Sequence, residues 1–185
     1  MGAWGITAFE SDAGLDVIDG IRESLPNDGR LTLHMLLEFI KNSQWQEFDD
    51  PKLGNSHTSP LAVAELIFKI KDGDYASLDY DDVWAKKYKR FQNLSAFTAD
   101  KESILWLRDY LTENLAAARN NAAVNNPANP YNGWFHKEDW EGWQTHMESI
   151  IKRLEELSER TEEEINLLEN EQTQDGSMSM GGMNM

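Results

Sequence analysis

Toward the C-terminal end, six large apolar residues fall into one repeating stripe. Trp140, Met147 and Leu154 lie seven apart, and Trp143, Ile150 and Leu157 repeat that step three residues further on. The two sets interlock as the a and d positions of a heptad, which predicts a helix with one long face committed to packing. This last helix is expected over about residues 137–169 and is the longest in the chain. Beyond Leu157 its stripe thins to Ile165 and Leu168, among eight glutamates between Glu155 and Glu171.

Helical punctuation recurs upstream, and strand alternation is hard to find. Ser11 or Asp12 can cap a helix carrying Leu15, Ile18, Ile21 and Leu25, which Pro26-Asn27-Asp28-Gly29 stops. From about Leu31 to Gln46 a second helix is apolar around much of its circumference, at Leu33, Met35, Leu36, Leu37, Phe39 and Ile40. That breadth predicts a central, largely buried element. Ser59-Pro60 starts a third helix and Gly73 closes it. Asp81 and Asp82 open a short helix with Val83, Trp84, Tyr88 and Phe91, and Thr98 to about Ala123 forms another before the break at Asn125 to Pro130. The expected fold is an all-α, irregular multi-helix bundle. One helical domain spans residues 1–170, followed by a disordered Met- and Gly-rich tail over 171–185.

A net charge of −16 excludes holding nucleic acid through a broad basic face. The charge is uneven. Residues 155–185 hold nine acids against one base and residues 1–60 ten against four, while the middle is near balance and includes the basic run Lys86-Lys87-Tyr88-Lys89-Arg90. With no cysteine, disulfides, thiol nucleophiles and zinc–thiolate sites are excluded. No apolar run approaches the roughly 20 residues that span a bilayer, and no secretory signal pattern is visible. A soluble, cytoplasmic protein is expected.

The opening residues are the most distinctive: Gly2-Ala3-Trp4-Gly5, then Phe9-Glu10-Ser11-Asp12, then Leu15-Asp16. Glycines flanking Trp4 let the backbone fold tightly, so Trp4 and Phe9 are expected as plugs in the core, with Asp12 capping the helix that follows. This pattern resembles the bacterial domain-of-unknown-function family 4259, whose members open with a Gly-x-Trp-Gly segment, a Phe and spaced acids. Gly2, Trp4, Gly5, Phe9, Asp12 and Asp16 carry the likeness, and Leu61-Ala62-Val63-Ala64-Glu65-Leu66-Ile67 followed by Gly73 is similar to the same family. The resemblance covers roughly residues 1–75. It implies no established activity and so no catalytic residues to carry over. Members of this size and helical character look like immunity or interaction proteins more than enzymes.

Asp12, Asp16 and Asp19 share one helical face. Such acids can hold a hard cation, or simply sit solvated at the positive end of the helix dipole; one helix encloses nothing. The four histidines, His34, His57, His136 and His146, make no i, i+4 pair, and there is no nucleophile elbow or phosphate loop. No catalytic residue, metal ligand or cofactor is therefore expected. Trp134 and Phe135, on the loop before the last helix, are contact candidates. Glu155, Glu156, Glu159, Glu162 and Glu163 lie toward that helix's C-terminus, where negative charge is mildly unfavourable, which leaves room for a basic partner. The expected function is a non-enzymatic acidic binding protein, an immunity- or antitoxin-type inhibitor that occludes a basic protein partner, either a toxin or a nucleic-acid-binding machine. Direct nucleic-acid and membrane partners are not expected. The alternatives are a nucleic-acid-mimicking inhibitor such as a phage counter-defence protein, a metal-dependent enzyme using Asp12 and Asp16, and oligomerisation through the last helix.

Overall fold

The computed structural model describes residues 2–43, 48–79, 89–124 and 136–168. Among them lie the helices α1 (Asp12–Ser24), α2 (Leu33–Lys41), α3 (Ser59–Lys71), α4 (Lys101–Ala123) and α5 (Trp140–Ser158). Three short strands accompany them: β1 (Arg30–Thr32), β2 (Ala96–Asp100) and β3 (Glu164–Asn166). The fold is mostly helical but not all-α. β2 is the middle strand, with Leu31 of parallel β1 opposite Phe97, and Ile165 and Glu164 of antiparallel β3 opposite Ala99 and Asp100.

Two strands run straight into helices, which moves the helix starts expected at Leu31 and Thr98 to Leu33 and Lys101. Thr32 ends β1 and caps α2, its hydroxyl accepting from the Met35 amide. Asp100 ends β2 and caps α4, accepting from the Ser103 amide. Phe97 and Ala99 are buried on alternate residues, a strand signal too short to stand out beside a strong helix signal.

The last helix ends at Ser158, not near 169. Trp143, Met147, Ile150, Leu154 and Leu157 are buried as the heptad requires, while Trp140, the first of the stripe, is half-buried and stacks on Trp143 with ring centroids 5.5 Å apart. The next stripe positions are Thr161 and Glu164, so the apolar seam stops. Ile165 and Leu167 are instead buried two apart, at strand spacing, and the Leu167 amide donates to the Phe97 carbonyl at 2.7 Å. Continuing the helix through Glu162, Glu163 and Glu164 would also oppose its dipole.

The central helix is α3, not α2. Small Ala62, Val63 and Ala64 let neighbours close around α3, and even Glu65 and Lys71 are buried there. α2 buries Leu33, Leu36, Leu37 and Ile40 but exposes Met35 and Phe39. The cap of α3 is Thr58, one residue before Ser59, accepting from the Leu61 amide. α5 lies along α4, where Arg119 reaches Gln144 at 2.8 Å and Glu148 at 2.5 Å. It also reaches the end of α3, since Arg153 grips both oxygens of Asp72 at 2.7 and 3.0 Å and lies 4.0 Å from the Phe68 ring centroid. The helix expected from Asp81, the break after Asn125, Trp134, Phe135 and the Met/Gly-rich tail lie outside the described residues. Among the described residues no helix is long and apolar enough to cross a membrane.

Candidate functional site

The opening segment folds back on itself as a tight, hydrogen-bonded turn. The Trp4 amide donates to the Glu10 carbonyl at 2.9 Å and the Asp12 amide to the Gly2 carbonyl at 3.0 Å. Thr7 donates through both its amide and its hydroxyl to the Glu10 carboxylate, at 3.0 and 3.1 Å. A Cβ on Gly5 would fall 2.2 Å from the Glu10 carboxyl carbon, so glycine there makes room for the acid rather than for an indole. Trp4 is accordingly not a core plug. It is 59% exposed, whereas Phe9 fills the core beneath the Lys69 ammonium, 4.9 Å from its ring centroid.

Asp12 is not the cap either. Ser11 caps α1, accepting from the Gly14 amide and donating to the Ala8 carbonyl at 2.7 Å, while Asp12 takes the Gly2 amide at 2.7 Å. Asp19 pairs with Arg22, and Asp16 is exposed. Among the described residues no group of three or more His, Asp or Glu side chains is placed to hold a metal.

Beneath the turn lies a buried hub that the sequence did not flag. Glu65, in the middle of α3 and 4% exposed, accepts from the Ala8 amide at 2.8 Å and the Phe9 amide at 3.2 Å. His146 of α5 reaches the same carboxylate through Nε2 at 2.7 Å. A carboxylate this deep persists only with such donors. His57 stands near His146 and Glu10. Burial pushes its pKa down to about 4, with Glu10 pulling the other way and His146 adding to the fall, so the ring is neutral at neutral pH. Two backbone donors and the His146 ring nitrogen meet the two oxygens of Glu65, and the hub ties the opening segment to α3 and α5.

The recess with binding character lies on another face. α2 and the first half of α4 wall a cleft of about 420 Å³, which adjoins a second hollow of about 330 Å³ further along α4. Both are lined by Phe48 and Trp106. Ring centroids are 5.0 Å apart for Phe48 and Trp106 and 5.6 Å for Trp106 and Tyr110, so the floor is a packed aromatic cluster. Trp106 nevertheless remains 38% exposed. It sits in an outward stripe of α4 formed by Glu102, Trp106, Asp109 and Glu113, at helical spacing. Glu38, Asp49 and Asp100 complete an acidic lining, in which Lys41 is the only lysine or arginine among the described residues.

These acids differ in how far they are already neutralised. Lys41 lies 3.4 Å from Glu38, Arg108 2.5 Å from Asp109 and Lys52 3.9 Å from Glu113. Glu102 has no ion pair among the described residues. Burial alone would raise the pKa of Asp100, but the Ser103 amide and hydroxyl, at 2.7 and 2.8 Å, and nearby His34 bring it below the usual carboxylate range. Burial, helped by Asp49 and Asp50, pushes the Tyr110 phenol well up, and its hydroxyl donates to the Asp49 carbonyl at 2.7 Å. At neutral pH the Tyr110 phenol in the floor is therefore neutral and the Asp100 carboxylate in the wall is charged.

Glu155, Glu156, Glu159, Glu162 and Glu163 are all exposed, on the end of α5 and the turn beyond it. Glu156 lies 3.7 Å from Lys152, and a hydrogen bond from Arg160 holds the Glu162 carboxyl below its usual range. They do not line the cleft. Their run does lead into Glu164, which stands opposite Asp100 in the sheet and accepts from the Thr98 hydroxyl at 2.7 Å. The cleft was missed from the sequence; the signal that could have found it is the acid–Trp–acid–acid stripe of α4 at Glu102, Trp106, Asp109 and Glu113. Comparison with protein-family models, curated proteins and solved structures found no match.

Proposed function

We propose that this chain is a non-enzymatic acidic binding protein, an immunity- or antitoxin-type inhibitor that acts in the cytoplasm and occludes a basic protein partner in the cleft between α2 and α4. One observation carries this reading: Trp106 is left 38% exposed at the centre of an acid-lined recess. Tryptophan and arginine dominate the affinity of protein interfaces, and arginine both stacks on indoles and pairs with carboxylates. The surrounding acids steer a basic surface inward and contribute mainly to association rate and selectivity. The resemblance to the domain-of-unknown-function family 4259 belongs to the same proposal. It rests on the sequence alone, at Gly2, Trp4, Gly5, Phe9, Asp12 and Asp16.

The test is retention of host proteins on the immobilised full chain, run beside Trp106→Ala and Glu102→Lys and quantified by mass spectrometry. Wild type should retain a protein of basic surface at low salt, and each variant should lose about tenfold or more of it. Equal retention on all three surfaces would refute the proposal.

A further inference from the structure

We infer that the cleft reads an extended peptide segment of basic–apolar–basic pattern, with two cationic side chains four residues apart and an apolar one midway. This deepens the proposed function and rests on it. The two hollows meet at the Phe48–Trp106 pair, and acids stand on both sides of that step. On one side are Glu38, Asp100 and Glu102; on the other are Asp49, Asp109 and Glu113. The aromatic step itself offers no charge, so a ligand matching this lining is apolar in the middle and cationic at both ends.

Spacing then selects the backbone. Glu102 and Glu113 are eleven residues apart on one helix, or about 16 Å at 1.5 Å per residue, with Trp106 between them. An extended chain rises about 3.3 Å per residue and points residues i, i+2 and i+4 to one face. Two cations four apart thus stand about 13 Å from each other, and long side chains close the remaining gap. A helical ligand brings i and i+4 within only about 6 Å and would need cations about eleven residues apart to bracket the aromatic step, so the short segment that fits is extended. Arginine fits better than lysine, because its planar guanidinium stacks on an indole and bridges two carboxylate oxygens.

The probes are three synthetic peptides added to the ¹⁵N-labelled full chain: acetyl-Arg-Ser-Leu-Ser-Arg-amide, its isomer acetyl-Ser-Arg-Leu-Arg-Ser-amide, and acetyl-Glu-Ser-Leu-Ser-Glu-amide. Binding is followed at the Trp106 indole N–H resonance, assigned with Trp106→Phe, and at cleft backbone amides for Trp106→Ala. The first peptide should bind about fivefold or more tightly than its isomer, and the acidic one should not bind. Glu102→Gln and Trp106→Ala, checked for wild-type melting, should each weaken the first peptide about threefold or more. Equal affinity for the two arginine isomers, or undiminished binding by Trp106→Ala, overturns the pattern. If neither arginine peptide binds while a basic host protein is still retained by wild type and lost from Trp106→Ala, the segment pattern is wrong and the binding function stands. If that difference in retention is also missing, both fall.

Discussion

His146 and Glu65, 81 residues apart in sequence, meet at 2.7 Å in the interior, and the same carboxylate holds the amides of Ala8 and Phe9. Three elements are joined there: the opening turn, α3 and α5. Glu65→Ala would strand two buried amide donors and a ring nitrogen, a loss of about 3–5 kcal/mol. Urea unfolding should show it, and native-state hydrogen exchange should show faster exchange at Ala8 and Phe9. Stability within about 1 kcal/mol of wild type would mean those amides do not depend on Glu65.

A pH dependence follows from His57. Its pKa is about 4 in the fold against 6.5 for the free side chain, so the unfolded chain takes up the proton first. Its contribution is complete above pH 6.5 and is lost as pH falls through 4. The shift corresponds to about 3 kcal/mol across that window. Urea-derived stability of His57→Gln should be flatter between these limits than that of wild type. An unchanged slope would assign the acid sensitivity to other groups.

Two glycines should respond in opposite order to helix propensity. Ala is favoured over Gly inside a helix by about 1 kcal/mol, yet a Cβ at Gly14 would lie 1.8 Å from the Ala8 carbonyl oxygen. That oxygen belongs to a backbone pinned by Glu65, so Gly14→Ala should cost about 3 kcal/mol. The three atoms nearest a Cβ at Gly5 all belong to the Glu10 carboxylate, which can swing away at the loss of its Thr7 bonds, about 1 kcal/mol. Thermal melts that rank Gly5→Ala as the more damaging would contradict this packing.

Arg153 joins α5 to the end of α3 through a two-pronged grip on Asp72 and a stack on Phe68. Lysine keeps the charge but neither geometry. Arg153→Lys should lose about 1 kcal/mol in urea unfolding, and a smaller further loss should follow in Arg153→Ala. A lysine variant as stable as wild type would reduce the contact to simple charge.

The legible part of the fold was the part with long periodicity. From Trp143 to Leu157 the heptad runs for about four turns, and every one of its stripe positions is buried. β3 could not be read that way, because Ile165 and Leu167 follow a helical stripe and only their pairing with β2 shows the change of period. The glycine beside Trp4 was visible, but its reason was not: Gly5 admits the Glu10 carboxylate and leaves the indole outside. Glu65 stood out only as one acid in an apolar run, since its partners come from residues 8, 9 and 146. Half of the cleft was equally local. Glu102, Trp106, Asp109 and Glu113 share one helix face, whereas Phe48 and Glu38 reach it only through tertiary packing.

The acid-lined aromatic cleft as the binding surface is tested most directly by association kinetics with the basic protein retained by wild type. Stopped-flow rates should be measured from about 20 to 200 mM salt for wild type and for a Glu38→Gln/Glu102→Gln pair. The wild-type association rate should fall about tenfold or more across that range, with dissociation changing far less, and the paired variant should start slower and depend less on salt. An association rate indifferent to salt, or identical in the two proteins, would contradict the assignment.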